Sequence, residues 1–121
     1  MQSPLKISFR GMKRSDAVEE RIREKVQKLE QYYDRIQSCR VVVEAPHRHH
    51  SKGQLYCVRV DLTLPGEEIV VAHEKPGDHA HEDVYVAIRD SFEAARRQLK
   101  KHVRMVRDNQ VRGARQAASQ T

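Results

Sequence analysis

Apolar residues along the chain repeat with two different periods, and the switches between them divide it into six elements. Leu5, Ile7 and Phe9 alternate with Lys6, Ser8 and Arg10, the rhythm of a half-buried strand, which stops at Gly11. From Ser15 the step lengthens to three and four. Val18, Ile22, Val26, Leu29 and Tyr33 then form one stripe of a helix predicted to run to about Asp34. Ser15 offers a hydroxyl for its N-cap, and Asp16, Glu19 and Glu20 place negative charge where the helix dipole favours it. Ser38 to Ala45 reads as a second strand, ended by Pro46. Gln54 to Leu64 reads as a third, with Val58, Val60, Leu62 and Leu64 on one face and Arg59, Asp61 and Thr63 on the other. Pro65-Gly66 is a tight-turn dipeptide, so the fourth strand, Glu68 to His73, forms a hairpin with the third. After a loop from Lys75 to His81 comes a long stretch without Gly or Pro. In it Val84, Ile88, Phe92, Ala95, Leu99, Val103 and Val106 mark one side of a second helix.

The order β-α-β-β-β-α predicts an α+β domain: a four-stranded mixed sheet with two parallel-packed helices on one face. The first helix is a crossover, so strands one and two are expected to be parallel if they are neighbours. Residues 1–108 form this domain. The segment 109–121, with Val111 as its only large apolar residue, is expected to be a disordered basic and polar tail, because it has little apolar surface to set against chain entropy.

Charge changes the picture more than size does. At 121 residues the chain is one domain that buries roughly two-thirds of its unfolded surface. It carries 23 Lys and Arg against 17 Asp and Glu, a net charge of +6, which suits a polyanionic partner but does not choose between nucleic acid and an anionic membrane. The charges are sorted. On the first helix Arg14, Arg21, Lys25, Lys28, Tyr32 and Arg35 lie on one flank of the apolar stripe, while Glu19, Glu30 and Asp34 lie on the other. Arg23 breaks this order by sitting among the acids. On the second helix Arg89, Arg96, Lys100, Arg104 and Arg107 share a stripe flanked by Arg97 and Lys101. A helix shaped only for solubility interleaves its signs into i, i+4 pairs, so segregation argues for an interaction face. Side by side on one sheet, the two helices are expected to merge these flanks into one basic surface. Tyr32 on the basic flank is the candidate stacking ring.

Other chemistry is weaker. His47, Arg48, His49, His50 and Lys52 make a cationic loop with possible phosphate contacts; the two basic neighbours oppose a metal ion, and no pair of spaced Cys or His couples accompanies the loop. No phosphate-binding Gly loop, nucleophile elbow, Cys-x-x-Cys or His-Glu-x-x-His is present, so neither catalysis nor a cofactor or metal is expected. Asp78-His79 and His81-Glu82-Asp83 are read as capping and loop residues. Cys39 and Cys57 fall in strands and are expected to be small buried hydrophobes. There is no membrane-spanning apolar run and no leader-like N-terminus, which gives the expectation of a soluble, cytoplasmic and monomeric protein.

Three runs in order carry a resemblance: Lys28-Leu29-Glu30-Gln31-Tyr32-Tyr33-Asp34-Arg35-Ile36, Asp83-Val84-Tyr85-Val86-Ala87-Ile88-Arg89-Asp90 and Arg96-Arg97-Gln98-Leu99-Lys100-Lys101-His102, with the Val41-Val42-Val43 strand between the first two. Over about residues 5 to 107 the chain resembles the ribosome hibernation-promoting factor family, which includes the ribosome-associated inhibitor protein. The resemblance implies the same β-α-β-β-β-α fold. It also implies binding to ribosomal RNA in the decoding channel of the small subunit, where messenger and transfer RNA are blocked during stress or stationary phase. By position it places RNA contacts on Lys25, Lys28, Arg89, Arg96, Arg97, Lys100 and Lys101; the basic flanks add Arg21, Tyr32 and Arg104. Long relatives append a dimerisation domain, and a chain ending at Thr121 is expected to be a short form. A general RNA-binding module acting off the ribosome is the alternative reading.

Overall fold

The computed structural model of the chain describes residues 4–45, 56–72 and 83–119, with side chains through Gln110. Its elements are β1 (Leu5–Arg10), α1 (Asp16–Tyr32), β2 (Ser38–Glu44), β3 (Cys57–Leu64), β4 (Glu67–Val71) and α2 (Val84–Ser119). The α+β order is the one that the apolar periods predict.

The strands lie in chain order, β1-β2-β3-β4. β1 and β2 run parallel, with Ile7 opposite Val41, and the remaining pairs are antiparallel. The crossover therefore joins neighbouring strands, as a connection through a helix allows. Alternation gives the sheet two unlike faces. One carries Cys39, Val41, Val43, Val58, Val60, Leu62, Leu64, Ile69 and Val71, all buried, and joins Val18, Ile22, Val26 and Leu29 of α1 and Ala87, Ile88, Phe92, Ala95 and Leu99 of α2 in one core. Ile22, Leu62, Ile88 and Leu99 are fully buried, each stabilising the fold by roughly 2 kcal/mol. The other face carries Lys6, Arg10, Arg40, Glu44 and Arg59 in the open.

Local chemistry sets the helix ends. The Ser15 side chain accepts from the Val18 N–H at 3.3 Å, the expected N-cap. The Tyr33 N–H closes the other end on the Leu29 carbonyl. At α2 the Asp83 carboxylate accepts from the Tyr85 N–H at 2.9 Å, which makes Asp83 the cap. Within α2, Ser91 is 2 % exposed and donates its hydroxyl to the Val58 carbonyl at 3.0 Å, tying the helix to β3. After β1 the chain turns at Gly11, where φ is +71° and a Cβ would lie 2.3 Å from the Ala45 carbonyl oxygen. Only glycine fits both demands.

α2 is longer than expected. The tail expected to be disordered from 109 onward instead continues the helix to Ser119. Burial was the wrong criterion there. Arg, Gln and Ala favour helix without packing, and an existing helix extends one hydrogen bond at a time with no new nucleus.

Candidate nucleic-acid interface

Contacts between the helices advance together along both chains. The Arg21 guanidinium lies over the Tyr85 ring, 5.1 Å from its centroid, and farther along Tyr33 meets His102 edge-on at 5.8 Å. The helices therefore run parallel, and their basic flanks meet rather than diverge. Between them is a groove of about 300 Å³ lined by Lys25, Lys28 and Leu29 of α1 and by Arg89, Phe92, Glu93 and Arg96 of α2. Leu29 and Phe92 are almost wholly buried and form its floor, and the cations stand around it.

The pairing of these cations decides what they can do. Lys25, Lys28 and Arg96 have no ion-pair partner among the described residues. Arg89 reaches Asp90 at 3.2 Å, and Arg21 reaches Glu24 at 3.6 Å in an exposed pair that is worth little. Arg97, Lys100, Lys101 and Arg104 are exposed along α2 beyond the groove lining. Tyr32 is 42 % exposed, as a stacking ring requires. Unpaired cations held on two rigid helices are a ready site for phosphates, since no internal bond must break first. Of the residues singled out in the sequence, Lys25, Lys28, Arg89 and Arg96 come together in the groove. Arg21 sits over Tyr85 on the same pair of helices. His47, Arg48, His49, His50 and Lys52 lie outside the described residues.

Arg23, the cation out of order, has a structural task. Glu19 is 6 % exposed; Arg14 binds it at 2.9 Å and Arg23 approaches it at 3.7 Å. The bond to Glu19 also raises the Arg14 pKa. His102 of α2 is buried; its Nδ1 is bonded to Glu67 at the start of β4, and its Nε2 has no partner among the described residues. Among the described residues no cluster of three His, Cys, Asp or Glu is placed to hold a metal ion. No helix among them is long and apolar enough to cross a membrane. Both cysteines are free. Burial pushes the Cys39 thiol up to about 12, helped by the Glu30 and Asp61 charges, and raises Cys57 in the same direction. Cys39 is buried as expected, whereas Cys57 points to the open face of the sheet and is only half-buried.

Three residues of the site were not singled out by sequence reasoning: Tyr85, Phe92 as groove floor, and Glu93. Each owes its role to the partner helix some sixty residues away in sequence, which no local pattern reports.

The sequence matches the family model described as sigma 54 modulation protein / S30EA ribosomal protein over residues 5–107, which is nearly the whole described domain. The chain belongs to that family. The S30EA family consists of ribosome-associated factors and is not a known enzyme family. Two solved structures share the fold. A ribosomal subunit interface protein from Coxiella burnetii superposes with a TM-score of 0.63 at 17% identity, covering 81% of this chain and 94% of that one. The N-terminal domain of Protein Y from Thermus thermophilus gives a TM-score of 0.62 at 20% identity, covering 84% of this chain and 99% of that one. A search of curated protein sequences returned no match. The S30EA match spans both basic helices, so the groove belongs to the family domain and not to an addition outside it.

Proposed function

We propose that this chain is a ribosome-bound translation inhibitor whose α1–α2 face binds ribosomal RNA in the decoding channel of the small subunit. There it excludes messenger and transfer RNA and keeps ribosomes inactive during stress or stationary phase. Family membership supports ribosome association. The observation that carries the finer reading is the row of cations on two parallel helices, Lys25 and Lys28 facing Arg89 and Arg96 across one groove, with Lys25, Lys28 and Arg96 free of ion pairs among the described residues.

The physics suits RNA. Helices cannot enter the deep, narrow groove of an RNA duplex, so this surface reads backbone shape and exposed bases, with Tyr32 and Tyr85 as partly exposed rings among the cations. No reaction is assigned to the protein, and it acts by occupying space. The site of action is the cytoplasm, with the isolated protein a monomer.

Chemical footprinting of small-subunit RNA, with and without the protein at low salt, tests the reading. Protection clustered in the decoding region is the expected result. No protection anywhere, or protection confined to another part of the subunit, refutes it.

A further inference from the structure

The groove contains one acid among its cations, and that acid is unpaired. Glu93 is exposed, lines the groove with Lys28, Arg89 and Arg96, and has no ion-pair partner among the described residues. A site for bare phosphate would exclude it, because a carboxylate repels the anion that the cations attract. A site for a uniform RNA backbone gains nothing from it either. The combination suits a ligand that brings negative charge and hydrogen-bond donors together.

A nucleotide does so. Its phosphate meets the basic rim, and its base lies over the apolar floor of Leu29 and Phe92. The edge of the base then meets Glu93. Two parallel donors are what a carboxylate accepts best, and guanine presents them side by side as N1–H and N2–H2. Adenine and cytosine offer a single amino group beside an acceptor, which a carboxylate repels. The volume of about 300 Å³ is at the lower limit for small-ligand sites and accommodates one nucleotide rather than several.

We infer that the α1–α2 groove is a pocket for a single guanine nucleotide unit, with Glu93 as the residue that selects the base. The inference deepens the RNA-binding reading above. The same chemistry is offered by an unstacked guanosine within RNA and by a free guanine nucleotide, and the test has an arm for each.

Affinities for GMP, AMP and inorganic phosphate are measured by calorimetry on the full chain. A parallel series uses RNA pentamers with a central G or a central A. Wild type is expected to prefer guanine about tenfold or more in at least one arm, the size of one good bidentate base contact. Preference in the GMP arm identifies free nucleotide as a ligand, and preference only in the pentamers identifies RNA as the source. Glu93→Gln replaces one acceptor oxygen by a donor and is expected to abolish the preference, with an unchanged thermal melt showing an intact fold. Absence of guanine preference in both arms, or a preference that survives Glu93→Gln, overturns the inference. Its failure is separable from that of the ribosomal reading, because footprinting on the subunit is scored independently of base preference in these small ligands.

Discussion

The open face of the sheet and the outer face of the helices use the same cations to opposite ends. On the sheet, register sets opposite charges against each other: Arg10 faces Glu44 across β1 and β2, and Arg40 faces Asp61 across β2 and β3. Arg59 adds a bond to Asp61 at 3.1 Å. On the helices Lys25, Lys28 and Arg96 stand together without acidic partners. Both faces hold several basic residues, but register sets acids opposite bases on the sheet, whereas the helices gather Lys25, Lys28, Arg89 and Arg96 around one groove. Net charge does not distinguish the two surfaces; the placement of acids among the bases does. A surface on which acids stand opposite bases has less to offer a polyanion than one on which cations converge.

Experiments that break or sharpen this contrast range from large effects to small. The widest gap separates the two sides of the sheet itself. Cys39 lies on the helix-covered side with its thiol pushed from 9.0 to about 12, which lowers its thiolate fraction at pH 8 about a thousandfold. Cys57 lies on the open side. Alkylation followed by mass spectrometry is expected to label Cys57 first and Cys39 only on unfolding; equal rates would mean that the helices do not seal the core. The sign for stability follows. The folded state holds Cys39 as the neutral thiol, so its contribution is intact below pH 9 and declines as pH rises toward 12.

Salt gives the next largest effect. Four phosphate contacts from Lys25, Lys28, Arg89 and Arg96 at about 0.7 counterions each predict a roughly 50-fold loss of ribosome affinity between 50 and 200 mM salt. Filter binding measures it, and a flat response would show that the helical cations are not meeting phosphate. Smaller still is the effect of loosening the platform. Ser91→Ala removes the buried bond to the Val58 carbonyl and is expected to lower stability by about 1–2 kcal/mol in urea unfolding. Ribosome affinity of the folded variant should fall only slightly, because no cation moves far. Smallest is Arg23→Ala, which leaves Glu19 its shorter bond to Arg14 and is expected to cost about 0.5 kcal/mol or less by the same measurement.

How much of this the sequence displayed depended on distance along the chain. The stripes of α1 and α2 were legible because a helix repeats every three or four residues, and Val18, Ile22, Val26 and Leu29 are buried as that period requires. The sorted charges were legible for the same reason. Legibility failed where a residue's partner is remote. His102 gave no sign of its bond to Glu67, and Glu93 gave none of its position opposite Lys28. The end of α2 was missed differently: few apolar residues follow position 108, but local propensity extends an existing helix through them. Register explains Cys57. It stands next to Val58, and a one-residue step in a strand changes faces.

The most direct measurement compares two triple charge reversals that change net charge equally. One places Glu at Lys25, Lys28 and Arg96 on the helices; the other places Glu at Lys6, Arg10 and Arg40 on the sheet. Each is tested by co-sedimentation with purified ribosomes at fixed salt, after a thermal melt has shown both variants folded. The helical set is expected to lose about a hundredfold or more in affinity, and the sheet set no more than about threefold. Equal losses would contradict the account, since they would mean that total charge, and not its convergence at the α1–α2 groove, attracts the ribosome.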